Sequence, residues 1–254
     1  YVQETDTFDT WFSSGQWPVV TLKTNKPGDF EAYYPTDVME TGYDILPFWV
    51  MRMMLLSIYL TGKSPFKYVY LKGVVSDEKG QKMSKSKGNA INPLELCAKF
   101  GTDSLRMALV MSTTAGQDSN TGENKVRGMR NFGNKIWNAG RYIAEKPKEE
   151  RTEKGVKDEE FVKKLSEVVN EVSRQLDRLA VGLASETAYN EFWHWFCDEA
   201  IEMNKQKLVS DEVLRDGYKT MLKLLHPFVP FVTEAVWQEM FPGEGQLMTA
   251  EWPK

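Results

Sequence analysis

Tyr68–Val75 reads YVYLKGVV, and Gly80–Asn89 reads GQKMSKSKGN. The first run is β-branched and aromatic, which is the pattern of a strand. The second sets Lys82, Lys85 and Lys87 with Ser84 and Ser86 between glycines, and its one apolar side chain is Met83. A glycine-bounded polar run after a parallel strand sits where ligands bind in open α/β sheets, outside the carboxyl ends of the strands. Lysines there meet phosphates as point charges. Serine hydroxyls and spare backbone donors add hydrogen bonds. The combination suits the stabilisation of charge that grows on a triphosphate under attack. The same composition also suits a solvated surface turn, because lysines are mostly exposed wherever they occur.

Working outward, Asp37–Gly42 (DVMETG) reads as a short strand ending in a glycine turn. Tyr43–Leu60 is apolar at nearly every position and predicts a helix buried on most sides, with Pro47 in the first turn. Downstream, Asn92-Pro93 caps a helix that stops at Gly101, and a second helix starts at Thr102. Strand, helix, strand, helix is the order of a parallel sheet with crossover helices, hence α/β. After about residue 113 the strand signals stop. A polar loop, TTAGQDSNTGEN, precedes helical runs at about 123–145, 158–180, 185–207 and 210–240, the last interrupted at HPFVP by Pro227 and Pro230. This half reads as all-α, an antiparallel helix bundle. The expected division is 1–112 and 113–254.

Bulk properties narrow the classes. Hydrophobic residues make up 41%, enough for a packed core, and the net charge is −4, which argues against nonspecific grip on nucleic acid but not against a local basic face. No uninterrupted apolar run approaches the roughly 18 residues of a membrane span, so no membrane partner is expected. The N-terminus, YVQETDTFDTWF, is unlike a leader peptide. Cys97, Cys197, His194 and His226 are isolated from one another in sequence, so neither a structural zinc nor any other metal site is expected. Two lone cysteines fit a reducing, cytoplasmic compartment.

Lys82-Met83-Ser84-Lys85-Ser86 is identical to the KMSKS signature of class I aminoacyl-tRNA synthetases, and with Lys87-Gly88-Asn89 it resembles the subgroup for valine, isoleucine and leucine. DTFDTWFSSGQWP, YYPTDVMETGYDILPFWVMRM, GTDSLRMAL, RNFGNKIWNAGRY and LLHPFVPFVTEAVW resemble later landmarks of the family, so the resemblance covers nearly the whole chain. It implies half of a Rossmann-like nucleotide-binding fold joined to an anticodon-binding bundle. It implies ATP with Mg2+ as the substrate complex, with Lys82 and Lys85 as catalytic residues on the phosphates. Met83, Ser84 and Ser86 would join them in holding ATP, and Gly42 and Asp44 would meet the ribose. Trp11, Ile45 and Trp49 would line the amino-acid pocket. TGYDILPFW and Gly116-Gln117-Asp118 resemble the valine-specific members, implying valine and tRNA(Val) as partners and a monomeric full-length enzyme. Isoleucine or leucine specificity, or a tRNA-binding module without catalysis, are the alternatives.

Lys125–Lys148 holds seven basic residues against Glu145 alone. Spacings of three and four put Arg130, Asn134, Asn138 and Arg141 on one helix face, with Lys135 beside them, a pattern suited to phosphate contacts. In the family this region touches the tRNA. A solvated helix face is the plainer reading. The family's His-x-Gly-His signature does not occur in the sequence. The chain is therefore expected to be a fragment that lacks the N-terminal half of the catalytic domain and is weak or inactive alone.

Overall fold

Thr36–Gly42 (β1) and Phe66–Lys72 (β2) pair in parallel, with Thr36 opposite Phe66 and Gly42 opposite Lys72. They belong to a computed structural model that describes residues 2–76, 81, 83, 92–111, 113–120, 122–146 and 154–254. By packing, the chain divides into two compact units: residues 1–74 with 115–118, and residues 75–114 with 119–254. The expected division at 112/113 followed the end of the strand signals, whereas the packing units group residues 75–114 with the helices and 115–118 with the first sheet.

In the first unit, three short helices precede the sheet: Thr10–Gly15 (α1), Trp17–Thr24 (α2) and Asp29–Tyr33 (α3). Asp9 caps α1 by accepting from the Trp11 N–H at 2.8 Å. Between β1 and β2 the chain makes a 3-10 turn at Tyr43–Ile45, a π turn at Leu46–Val50 and the helix Met51–Thr61 (α4). Gly62, at φ 73°, ends α4 in the left-handed region that glycine adopts without strain. A Cβ on Gly15 would fall 2.8 Å from Leu56 Cδ1, so the missing side chain lets α1 rest on α4. Val50, Met53 and Phe66 form the small core of this unit, with Met39, Trp49 and Val69 against it.

Two expectations about this helix are corrected. It is not buried on most sides: Met51, Leu55 and Tyr59 are 55%, 64% and 85% exposed. Only one stripe, through Val50 and Met53, reaches the sheet. Also, the helical stretch Tyr43–Thr61, 19 residues of mean hydropathy 1.3, is long and apolar enough to cross a membrane. Val50 and Met53 pack this stretch onto Phe66 of the sheet, while most of its apolar surface is exposed.

The run Tyr68–Val75 is not one strand. β2 stops at Lys72, and Val75–Ser76 (β3) pairs instead with Ser119–Asn120 (β4), in parallel. The cause is the approach of residues 115–118. The Gly116 N–H donates to the Leu71 carbonyl at 2.8 Å, and the Val74 N–H donates to Asp118 Oδ1 at 2.8 Å. A Cβ on Gly73 would lie 1.7 Å from the Gln117 carbonyl oxygen, so only glycine fits there. The polar loop expected at 113–124 thus contains a short strand, β4.

The second unit is helical apart from β3 and β4. Asn92 caps Pro93–Phe100 (α5) by accepting from the Leu94 N–H at 3.0 Å, and Gly101, at φ 90°, separates it from Thr102–Val110 (α6). Glu123–Ala144 (α7), Asp158–Asp177 (α8) and Val181–Asn190 (α9) follow. A π-helical stretch, Glu191–Ala200, carries α9 into Ile201–Lys205 (α10), and Asp211–Leu225 (α11) and Pro230–Met240 (α12) complete the bundle. Three residues connect α8 to α9, a link short enough to make them antiparallel neighbours. The core is aromatic: Phe132, Phe161, Phe192, Phe196, Tyr218 and Trp237 are each at most 2% exposed. Phe192 and Phe196 stack with centroids 5.6 Å apart. Tyr218 satisfies its hydroxyl on the Ile136 carbonyl at 2.7 Å, tying α11 to α7.

Candidate functional site

At the carboxyl ends of β1 and β2 the first unit gathers Gly42, Tyr43, Asp44, Gly73 and the 115–118 loop. A Cβ on Gly42 would stand 2.7 Å from Asp44 Oδ1, so this glycine leaves room for the Asp44 carboxylate to turn back over the strand end. Asp44 is exposed at the strand end, and a carboxylate is a group that accepts from hydroxyl donors. Asp118 anchors the surrounding backbone. It accepts from the Val74 N–H and from the Tyr43 hydroxyl, and its charge raises the Tyr43 pKa above the ordinary phenol value, with burial contributing. The Tyr43 phenol therefore remains a neutral donor at physiological pH.

Trp11, Ile45 and Trp49 are each half-buried. The Trp49 indole N–H donates to the Ser14 carbonyl at 3.2 Å, and the Trp11 ring lies 6.4 Å from Phe48 and 5.9 Å from the Arg52 guanidinium. α1 and the π turn are thereby joined, and both indoles belong to that junction. A separate apolar cavity of about 670 Å³, lined by Leu46, Val50, Met51, Met54, Leu55 and Ile58, opens along another side of the same helix. Lys82, Ser84, Lys85 and Ser86 lie outside the described residues. Met83 is half-buried.

In the second unit, α7 carries the basic cluster. Arg127 pairs with Glu123 at 3.1 Å, Lys135 with Asp198 at 2.8 Å and Lys146 with Asp211 at 3.6 Å. Arg130 and Arg141 are exposed and make no ion pair among the described residues. The sequence grouped Arg130, Asn134, Asn138 and Arg141 on one face, and the structure sorts them differently. Arg130 and Asn134 share a groove of about 480 Å³ with Trp137 and Phe231. Arg141 shares a cavity of about 240 Å³ with Trp137, Glu145 and Glu239. Asn138 and Lys135 open onto a third hollow with Tyr142, Cys197 and Asp198. The reason is helical drift. At about 100° per residue, two steps of four carry Asn138 about 80° round from Arg130, whereas Trp137 and Arg141 stay within about 20° of it. Lys135 is further engaged by the Trp193 ring at 5.0 Å. In that hollow, burial pushes the Cys197 thiol up to about 12, which keeps it protonated and unreactive. Trp137, which sequence reasoning did not single out, lines both the first and the second of these hollows. Its signal was present in the spacing 130, 134, 137, 141.

Among the described residues, no group of three or more His, Cys, Asp or Glu side chains is placed to hold a metal ion. A family model described as "tRNA synthetases class I (I, L, M and V)" matches residues 1–122, and one described as "Anticodon-binding domain of tRNA ligase" matches residues 158–254. The valine–tRNA ligase of Clostridium tetani is 39% identical over 270 residues, covering 100% of this chain and 31% of its own length.

The chain belongs to the class I aminoacyl-tRNA synthetases.

Two further synthetase relatives are also valine–tRNA ligases. That of Bacillus cereus is 42% identical, with coverage of 99% of this chain and 30% of its own length, and that of Bacillus subtilis is 41% identical, with 99% and 31%. The chain spans about a third of the length of the curated relatives it matches. Among solved class I synthetases, the Agrobacterium radiobacter LeuRS of a ternary complex with tRNA and LeuAMS superposes with a TM-score of 0.85 at 20% identity, covering 100% of this chain and 33% of that one. Mycobacterium tuberculosis methionyl-tRNA synthetase, solved with methionyl-adenylate, gives 0.66 at 20% identity, covering 88% and 49%. These likenesses confirm the fold: α/β followed by all-α.

Proposed function

We propose that this chain is a portion of a valine–tRNA ligase, carrying part of the site that activates valine with ATP and the helical surface that grips tRNA(Val). The observation that carries the reading is the placement of Gly42 and Asp44 at the carboxyl end of a parallel strand pair, in a chain about 40% identical along its length to valine–tRNA ligases. In the proposed reaction the valine carboxylate attacks the α-phosphate of ATP, pyrophosphate leaves, and the terminal ribose hydroxyl of tRNA then takes the valyl group from the adenylate. Asp44 accepts from the ATP ribose, and Gly42 gives the nucleotide room. Lys82 and Lys85 neutralise the phosphate charge that develops during the first step, and neither becomes a covalent nucleophile. Mg2+ enters with the ATP phosphates and supplies further charge neutralisation. By the family resemblance Trp11, Ile45 and Trp49 line the amino-acid pocket, and a slot walled by two indoles and a branched residue favours a small branched side chain, because overpacking rejects larger ones. The sequence contains no His-x-Gly-His, and the chain alone is expected to catalyse adenylate formation weakly.

Binding of non-hydrolysable aminoacyl-adenylate analogues, read as a shift in unfolding temperature, tests the specificity without requiring turnover. The valyl analogue should raise the unfolding temperature more than the isoleucyl or leucyl analogue. A larger shift with either of those, or no shift with any, contradicts the reading.

A further inference from the structure

Trp137 is 38% exposed in the middle of the Arg130–Arg141 stripe, and we propose that its indole is a stacking platform for an unpaired RNA base whose neighbouring phosphates lie on Arg130 and Arg141. The inference rests on the RNA-binding reading above and adds to it a ligand class, single-stranded RNA, and a residue. Three observations carry it.

The first is charge. Carboxylates neutralise Arg127 and Lys135 of α7 and Lys146 just past its end, and leave unpaired, among the described residues, the two arginines that share a face with Trp137. Unpaired guanidinium groups on a common face are complementary to a phosphodiester chain. From the helical rise, Arg130 stands about 10 Å before Trp137 along the axis and Arg141 about 6 Å after it, so one strand reaches all three.

The second is shape. Trp137 separates two hollows, one lined by Arg130 and Asn134 and the other by Arg141. Phe231, 63% exposed, borders the first. Its backbone is fixed by Asp103, which accepts from the Phe231 N–H at 3.2 Å and the Val232 N–H at 2.7 Å. The aromatic surface is therefore anchored before any ligand arrives. Glu145 and Glu239 line the second hollow without pairing to Arg141, which keeps phosphates to its rim and offers acceptors to the N–H edge of a base.

The third is the indole itself. The N–H groups of Trp49, Trp237 and Trp252 donate to protein acceptors, at 3.2, 3.1 and 2.8 Å. That of Trp137 has no hydrogen-bond partner among the described residues, a state it shares with Trp11, Trp17, Trp193 and Trp195, and what sets it apart from these is its place between Arg130 and Arg141 on one helix face. Paired bases offer no face to such a platform, so the ligand is unpaired.

The experiment is fluorescence-anisotropy titration of the chain and its variants with a labelled tRNA(Val) transcript, a seven-nucleotide single-stranded RNA and a loop-free two-stranded RNA duplex, at several salt concentrations. Stacking on an aromatic side chain is sequence-tolerant, and its loss in Trp137→Ala should weaken binding of the seven-mer about tenfold to a hundredfold with no change in salt slope. Trp137→Phe should stay within about threefold of the parent. Arg130→Ala/Arg141→Ala should lower the salt slope by about 1.4, the value for two single-strand phosphate contacts. Binding of the loop-free duplex should be indifferent to Trp137. If the parent binds RNA and Trp137→Ala binds the seven-mer equally well, or if Trp137→Phe loses as much as Trp137→Ala, the stacking platform is overturned while the RNA-binding reading stands. If the parent binds none of the three RNAs, that reading falls and the platform with it.

Discussion

His226 closes α11, its Nδ1 2.9 Å from the Thr233 hydroxyl at the start of α12. Burial holds its pKa below the ordinary 6.5, against the opposing pull of Glu234 and Asp103, while Arg106 lowers it further. A histidine with a depressed folded pKa contributes stability that is present above its unfolded pKa and is lost as pH falls through the folded value. Asp103 has the opposite sense: burial raises its pKa against the hydrogen bonds from Val232 and Phe231, so its contribution is present at low pH and is lost as pH rises through the raised value. The predicted outcome concerns urea midpoints between pH 7.5 and pH 5.5. The parent should lose stability over that window through His226, and His226→Gln should flatten the loss. Parallel pH profiles for the two proteins would mean that folding does not lower the His226 pKa.

Glycines separate elements that are packed to contact from elements that are merely adjacent. A Cβ on Gly217 of α11 would stand 2.4 Å from Phe161 Cζ and 2.6 Å from Cε1, inside a ring that is 2% exposed. Nothing lies within 4 Å of the corresponding position on Gly128 of α7. Gly217→Ala should therefore cost about 1–3 kcal/mol by overpacking, whereas Gly128→Ala should be neutral or stabilise by up to about 1 kcal/mol through helix propensity. Chemical denaturation of both variants checks the pair, and equal effects would contradict the packing. Elements were legible in the sequence where the signal is local. The Asn92 cap, the Gly101 stop, the break at Pro227 and Pro230 and the strand at Asp37–Gly42 all appear where local chemistry places them. They were not legible where the cause is tertiary. Nothing local states that residues 115–118 come against Gly73 and interrupt a β-branched run. An all-apolar helix does not disclose which of its sides faces the sheet, so the exposure of Met51 and Leu55 escaped sequence reasoning. The α7 stripe was half legible, because spacings of four suggest a face and only the accumulated angle separates Asn138 from Trp137.

At the scale of the molecule, a net charge of −4 conceals a basic helix, and the membership of the class I synthetases rests on sequence along the whole chain more than on any cavity. The carboxyl end of the β1–β2 pair brings Gly42, Asp44, Tyr43 and Asp118 together. The two lysines of the signature lie outside the described residues, so their role has to be measured. Equilibrium titration of this chain with ATP in the presence of Mg2+, for the parent and for Lys82→Ala/Lys85→Ala, is that measurement. Hydrogen bonds to charged groups contribute about 1.5–3 kcal/mol each, so the account predicts saturable binding by the parent and at least about a tenfold loss in the double variant, with the unfolding temperature unchanged. ATP binding of equal strength in both proteins, or none in the parent, would contradict it.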